Sequence, residues 1–289
     1  GGTFPGCEHL TLDWFPPVWV LTSYKEVSES DLDRWQHALA HRWLHLSACA
    51  DTQCNATLNL VFQFRNKTSA TTRLMSGHVP DPHVVEEQGL SYLVNVLKDQ
   101  NHGLFLDMAN GRSWLANRAK GRKVLNLFAY TCAFSAVALK AGAAEVINVD
   151  MSSRALSIGQ QNIALNNLPK EKARYLGHNI FKNWGKLKKL GPYGVIVVDP
   201  PSYQWGSFVA KIDYVKVIKR IPTLLEVGGY ALLCLNSPEL DAEFLRKSVL
   251  EVAPQLKFLE RLENPPSFPD IDPEWSLKVL VFQLSDRDV

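Results

Sequence analysis

Cysteine and methionine are scarce in this chain of 289 residues, at five and three. Cys7, Cys49, Cys54, Cys132 and Cys234 form no C-x-x-C pair, which speaks against structural zinc and for free thiols. Long apolar runs are absent too: none approaches the roughly 18 residues of a membrane span. The opening Gly1-Gly2-Thr3-Phe4-Pro5-Gly6 lacks a charged-then-apolar leader, so a cytoplasmic location is expected; it also lacks a methionine, and a segment further upstream stays open. Without secretion, the glycosylation patterns at Asn55 and Asn66 are chance matches. Charge bias is missing as well, since a net +2 neither demands nor excludes a nucleic acid partner and leaves that question to local clusters. What is plentiful is apolar side chain, 46%, enough for a sizeable core in one large domain with a smaller one attached.

The first hundred residues read as a small α+β domain, residues 1–102. Strands are expected at Trp19–Tyr24 and Leu58–Phe64 around a helix from about Asp31 to Ser47. On that helix Leu32, Trp35, Leu39, Trp43 and Leu46 share one face, and His37, His41 and His45 recur on the other. No carboxylate or cysteine joins the histidine row, so it reads as a solvated stripe and no metal is expected. Leu90–Leu97 and His102–Leu106 read as two strands around Lys98-Asp99-Gln100-Asn101, bridging into the second domain, residues 103–289.

There the elements alternate. Strands are expected at Lys123–Phe128, Val146–Asp150, Val195–Val198, Tyr230–Leu235 and Lys278–Leu284. Helices are expected at Phe134–Lys140, from Ser152 or Ser153 to Asn166-Asn167, near Phe208–Leu225 and at Ala242–Val252. This alternation predicts an α/β fold with an open, mostly parallel sheet covered by helices on both faces.

One further scarcity directs the chemistry. The loop after the first of these strands, Phe128-Ala129-Tyr130-Thr131-Cys132-Ala133-Phe134, has no glycine, whereas a dinucleotide pyrophosphate needs close backbone approach. S-adenosylmethionine has no phosphate. Its amino acid end can rest on the loop backbone and helix start while Asp150, ending the second strand, accepts from both ribose hydroxyls. An acidic helix cap is the competing role for Asp150, since Ser152 follows. Asn179, where a third strand should end, either accepts from the adenine amine or caps a turn. Asp199-Pro200-Pro201-Ser202-Tyr203 follows the unbroken apolar run Val195–Val198. Its prolines hold the Asp199 carboxylate at the strand's carboxyl edge, with an aromatic ring nearby and room for a planar nitrogen base between. Together these features read as an S-adenosylmethionine-dependent methyltransferase acting on a nucleic acid base.

The runs Gly103-Leu104-Phe105-Leu106-Asp107, Leu125-Asn126-Leu127-Phe128-Ala129-Tyr130-Thr131, Val149-Asp150-Met151-Ser152 and Asp199-Pro200-Pro201-Ser202-Tyr203 occur in this order. With them the sequence resembles the bacterial 23S ribosomal RNA large-subunit methyltransferases, closest to the 7-methylguanosine-forming half of the fused guanine methyltransferase. The resemblance runs from Trp19 to Leu284. It implies a Rossmann-like sheet of seven strands, and Asp107 and Arg112 closing over the cofactor from a loop entering the sheet domain. It further implies cofactor contacts from Asn126, Phe128, Ala129, Thr131, Met151, Asn179, Ile180 and Asp199, and 23S ribosomal RNA as partner. The chain departs from the pattern at Met108-Ala109, where the family usually has an arginine, at Cys132 in place of glycine, and at Asn179 in place of aspartate. If position 132 needs a left-handed backbone, cysteine there costs about 1–2 kcal/mol.

The target atom is read from what is missing. Methylation of cytosine carbon-5 needs a cysteine nucleophile, which relatives carry two residues beyond Cys234, where this chain has Asn236. Guanine nitrogen-7 has its own lone pair and needs only alignment and stabilisation of positive charge, which suits Asp199 and Asn236, with Tyr203 stacking on the base. An exocyclic amine would use an Asp199 acceptor equally well. Lys182, Lys186, Lys188 and Lys189 around Trp184, and Lys211, Lys216, Lys219 and Arg220 beyond the Asp-Pro-Pro turn, are candidate phosphate contacts. A non-catalytic RNA-binding paralogue and a small-molecule methyltransferase are the competing readings.

Overall fold

The computed structural model describes residues 3–49, 57–66, 69–98, 101–204 and 208–285. Cys54, the pattern at Asn55, and Asp99-Gln100 of the expected turn fall outside them. The chain divides into two compact units, Gly1–Leu104 and Phe105–Val289; the sequence reading put the division two residues earlier.

In the first unit, β1 (Leu10–Phe15), β2 (Val18–Ser23), β3 (Asn59–Arg65) and β4 (Ala70–Ser76) form one sheet in that order. β2 and β3 run parallel, which requires a crossover, and helix α1 (Glu29–Cys49) supplies it. Ser28 opens the helix, its hydroxyl accepting from Asp31 N–H at 3.1 Å. Leu32, Trp35, Leu39 and Trp43 pack with Leu21, Leu60 and Phe62 of the sheet, and Trp43 stands 5.5 Å from Trp14. Leu46 is the exception on that face and is exposed. His41 and His45 are exposed, with their Nε2 atoms 3.3 Å apart.

The bridging hairpin lies upstream of its expected place. β5 (His83–Glu87) pairs antiparallel with β6 (Leu90–Val94) around Gln88 and Gly89, both with positive φ (52° and 70°), the two-residue turn that suits the twist of a hairpin. Residues 102–106 are not a strand, although Asn95 N–H donates to His102 O at 2.9 Å.

The second unit opens with a 3₁₀ turn, Leu106–Met108, running into helix α2 (Ala109–Ala116). Asp107 and Arg112 thus sit on a helical segment, not on the loop that was expected. Then follow β7 (Lys123–Leu127), α3 (Ala133–Lys140), β8 (Glu145–Asp150), α4 (Ser153–Leu165), β9 (Ala173–Gly177), α5 (Trp184–Leu190) and β10 (Tyr193–Val198). A short ribbon of β11 (Tyr203–Gln204) and β12 (Phe208–Val209) precedes α6 (Ala210–Ile218), β13 (Leu225–Leu235), α7 (Ala242–Val252), β14 (Leu256–Leu262) and β15 (Lys278–Leu284). The seven main strands are ordered β14-β15-β13-β10-β7-β8-β9. β9, β8, β7, β10 and β13 are parallel, and β15 is antiparallel to both its neighbours. β10 is buried along its whole length, as a strand covered on both faces must be.

Candidate active site at the switch point of the sheet

Chain direction across the sheet reverses between β7 and β10, since β8 and β9 follow β7 on one side and β13 follows β10 on the other. Loops leaving the carboxyl ends of two such strands diverge and open a crevice, where α/β sheets bind their ligands. The loop after β7, Asp150 ending β8, and Asp199 just past β10 all belong to this edge.

The loop is held in an unusual backbone. Phe128, Tyr130 and Cys132 have φ of 58°, 46° and 60°, three alternating residues in the left-handed region without a glycine among them. Each costs on the order of 1 kcal/mol, and such strain persists only where the surroundings impose it. Asp150 does much of the imposing. Its Oδ2 accepts from Tyr130 N–H and its Oδ1 from Ser152 N–H, both at 2.8 Å, so one carboxylate fixes both the loop and the entry to α4. Ser152 itself caps α4 through Ala155 N–H at 3.1 Å. Each carboxylate oxygen keeps a second lone pair, so this anchoring leaves Asp150 able to accept further hydrogen bonds.

Beneath the loop lies a buried polar network that the sequence reading missed. Asn126 Nδ2 donates to Ser135 Oγ at 3.0 Å and to Asn148 Oδ1 at 3.2 Å, Ser135 Oγ donates to Asn148 Oδ1, and Asn148 Nδ2 donates to Arg174 O. The Nδ2 of Asn126 thus joins β7, α3 and β8, a supporting role that stands beside the expected cofactor contact. Asn162 of α4 adds a bond to Thr131 O at 3.0 Å. Thr131 and Ala129 are buried, and Ile180 is buried in the core under β9 and β10. Asn179 takes the capping role, its Oδ1 accepting from Phe181 N–H at 2.9 Å. Met151, by contrast, is exposed beside Asp150.

Across the crevice, Arg112 is buried and its guanidinium acts electrostatically on both Asp107 and Asp199. Burial raises the Asp107 carboxyl above its usual range, against the pull of Arg112. Asp199 is pushed up to about 7, by burial first and by the neighbouring Asp107 charge second, again opposed by Arg112. When both carboxyls are ionised, two negative charges beside one guanidinium leave an excess of negative potential. A sulfonium, which is cationic, fits that excess, while the loop backbone and helix start fit the amino acid end of S-adenosylmethionine and Asp150 its ribose hydroxyls; the residues present match the group.

The far wall is formed by the turn after β10. Tyr214 OH lies 2.8 Å from Cys234 O and 3.2 Å from Val198 O, bracing the ends of β10 and β13. Ser202 Oγ donates to Asn236 O, which ties the Asp-Pro-Pro turn to the loop after β13. Asn236 is exposed, and Tyr203 is 60% exposed, so both face solvent. Phe128 meets Phe208 edge-on at 5.0 Å and Phe105 lies 5.7 Å from Tyr130, giving the crevice aromatic walls. Cys132 and Cys234 are fully buried, and burial raises both thiols well above their ordinary value, so neither supplies a thiolate. Among the described residues no three histidine, cysteine or acidic side chains converge as a metal cage. Lys182, Lys186, Lys188, Lys189, Lys211, Lys219 and Arg220 are exposed, while Lys216 is paired with Asp213 at 2.7 Å.

Several known proteins are similar to this chain. The Ribosomal RNA large subunit methyltransferase I of Shewanella denitrificans is 32% identical over 274 residues, 91% of this chain and 67% of that protein. The protein of the same name from Aeromonas salmonicida is 37% identical over 187 residues, 63% of this chain and 47% of that one. The chain spans about half the length of most of these curated relatives. Among solved structures, the methyltransferase SMU.776 in complex with SAH superposes with a TM-score of 0.82 at 23% identity, covering 95% of this chain and 71% of that one. An S-adenosylmethionine-dependent methyltransferase from Agrobacterium tumefaciens gives 0.69 at 18%, covering 96% and 88%. These two likenesses speak to the fold. Residues 1–283 match the family described as S-adenosylmethionine-dependent methyltransferase, and a match of that extent, on a sheet with this strand order, makes the chain a member of that family.

Proposed function

We propose that this chain transfers a methyl group from S-adenosylmethionine to a base of 23S ribosomal RNA, at nitrogen-7 of guanine. The ribosomal RNA part rests on the names of the curated relatives. The observation that supports the choice of atom is that both cysteines of the unit are buried and held as thiols, while Ser202 ties the turn carrying Asp199 and Tyr203 to Asn236. Carbon-5 of cytosine needs a covalent thiolate adduct before it can attack. Nitrogen-7 needs none, because its lone pair attacks the methyl carbon directly as the carbon–sulfur bond breaks.

In this reading S-adenosylmethionine supplies the electrophilic methyl. Asp150 and the left-handed loop hold its ribose and amino acid ends; Asp107 and Arg112 close over it. Asp199, when ionised, opposes the positive charge that the guanine ring acquires, in a site where low dielectric strengthens the interaction. Asn236 orients the base edge and Tyr203 stacks on its face. The exposed lysines of α5 and α6 bind phosphate, and the first unit adds RNA-binding surface.

The test is transfer of labelled methyl to ribosomal RNA from a strain lacking the enzyme. A nitrogen-7 product carries a fixed positive ring charge, so borohydride reduction and aniline should cleave the strand at one guanosine. Finding 5-methylcytosine, a methylated exocyclic amine, or label only in small metabolites would overturn the proposal.

A further inference from the structure

We propose that Lys278 is a positioning residue for the target-base side of the crevice, acting through the backbone of the loop that begins at Asn236. The inference rests on the function proposed above and deepens it. Lys278 heads β15 and pairs in register with Leu235, the last residue of β13. It is fully buried, and its ammonium donates to two main-chain carbonyls, Ser237 O at 2.6 Å and Glu274 O at 2.7 Å. Ser237 is the residue after Asn236, and Asn236 O accepts from Ser202 of the Asp-Pro-Pro turn. The two peptide units that flank Ser237 are therefore each held, the first by a hydroxyl and the second by a buried ammonium, while Asn236 itself stays exposed.

Glu274 completes the arrangement. Its Oε2 accepts from Ala242 N–H at 2.6 Å and its Oε1 from Arg261, so the segment carrying the second carbonyl is anchored to the start of α7 and to β14. Glu274, Asp241 and Asp270 supply the negative charge that favours the ammonium there, against its burial and the Arg261 charge. An apolar residue heading an apolar strand would avoid the cost of burying a cation. What the ammonium adds is a short, charge-assisted hold on a main-chain carbonyl beside Asn236, of the kind that fixes a functional group within the narrow tolerance chemistry needs.

The experiment compares wild type with Lys278→Met, Lys278→Arg, Asn236→Ala and the Asn236→Ala/Lys278→Met double variant, with Val249→Ala of α7 as a control for lost stability. Lys278→Met should keep cofactor affinity within about twofold and lower kcat at least tenfold at equal folded fraction, with the KM for RNA little changed. Lys278→Arg should recover part of the loss, and Lys278→Met should cost nothing further in the Asn236→Ala background. Amide exchange in residues 236–241 should accelerate in Lys278→Met and not in Val249→Ala. Where Lys278→Met does not fold, Lys278→Gln carries the same measurements. A kcat matching the Val249→Ala control, or full additivity with Asn236→Ala, overturns the positioning role. If wild type methylates no RNA, the proposed function falls, and the exchange measurement still decides whether Lys278 holds the loop.

Discussion

Cys132 stands in the left-handed region, φ 60° and ψ 32°, at the residue just before α3, and its side chain has nowhere to go but into α4. There residue 159 is glycine. A Cβ built on Gly159 would overlap the Cys132 sulfur, lie 2.8 Å from the Cys132 Cβ and 3.3 Å from the Thr131 carbonyl carbon. The two positions are thus coupled: a side chain at 132 and a side chain at 159 compete for one space. Within a helix, Gly→Ala ordinarily gains about 1 kcal/mol. At 159 the overlap should reverse that gain, because inserting a methyl into a packed site costs about 1–3 kcal/mol. Gly159→Ala alone is expected to destabilise by up to about 2 kcal/mol, the overlap cost less the helix gain, and to weaken cofactor binding, since the displaced Cys132 carries the strained loop with it.

Cys132→Gly alone releases about 1–2 kcal/mol of left-handed strain, loses a buried side chain and frees the unfolded chain, and these offset one another to within about 1 kcal/mol. In the double variant the two closest overlaps vanish, the alanine methyl fills the space the sulfur left, and only the 3.3 Å approach to Thr131 remains. The double variant should be more stable than Gly159→Ala by more than Cys132→Gly is than wild type, with a coupling energy of about 1.5–3 kcal/mol. Urea unfolding of all four proteins, followed by far-ultraviolet circular dichroism and by binding of S-adenosylmethionine, measures this. Additivity within about 0.5 kcal/mol would refute the shared-space argument, and the account of how this chain tolerates a non-glycine loop would fall with it.

The raised carboxyl of Asp199 gives opposite pH dependences for stability and rate. Its folded pKa of about 7 exceeds the unfolded value near 3.9, so its stabilising contribution is full below about pH 4 and is lost as pH rises through 7; kcat, which needs the ionised form, should rise with unit slope to a plateau above 7. A rate that falls across this interval in the wild type, or an identical pH profile in Asp199→Asn, would contradict the charge-stabilising role. Asp150→Ala removes the acceptor shared by Tyr130 and Ser152, so cofactor affinity should fall ten- to hundredfold, as expected for about 1.5–3 kcal/mol, together with a lower unfolding midpoint. RNA binding should persist; unchanged calorimetric affinity for S-adenosylmethionine would remove Asp150 from the site. Cys234→Ser should retain most methyl transfer and trap no protein–RNA adduct on denaturing gels, because the buried thiol takes no part in attack on the base.

The sheet domain was legible wherever one strong local signal sufficed. Ala242–Val252 and Lys278–Leu284 match their expected bounds: Asp241 caps the helix in the structure, and the apolar run Val279–Phe282 makes the middle of the strand. β14 escaped because its alternation is diluted by an exposed edge and a register shift between Phe258 and Glu260. The hairpin was misplaced because Gln88 occupies a left-handed position that glycine, asparagine or aspartate usually announces. α2 escaped for a related reason: nothing caps it, and it simply continues a 3₁₀ turn.

At the crevice a sequence gives the ends of strands and conceals what supports them. Asp150 and Asp199 stood out because an acid closing an apolar strand has few other uses. Asn126, Ser135, Asn148 and Asn162 look like ordinary polar residues until the fold places them under the loop, where they join its neighbouring elements. The departures at Cys132 and Gly159 make the same point from the other side. Read singly, cysteine at 132 suggests a damaged cofactor loop, and glycine at 159 is a weak spot in a helix. Set 27 positions apart and brought together by α3, β8 and α4, they are one substitution and its accommodation, so the left-handed loop survives without its glycine and the crevice keeps its shape.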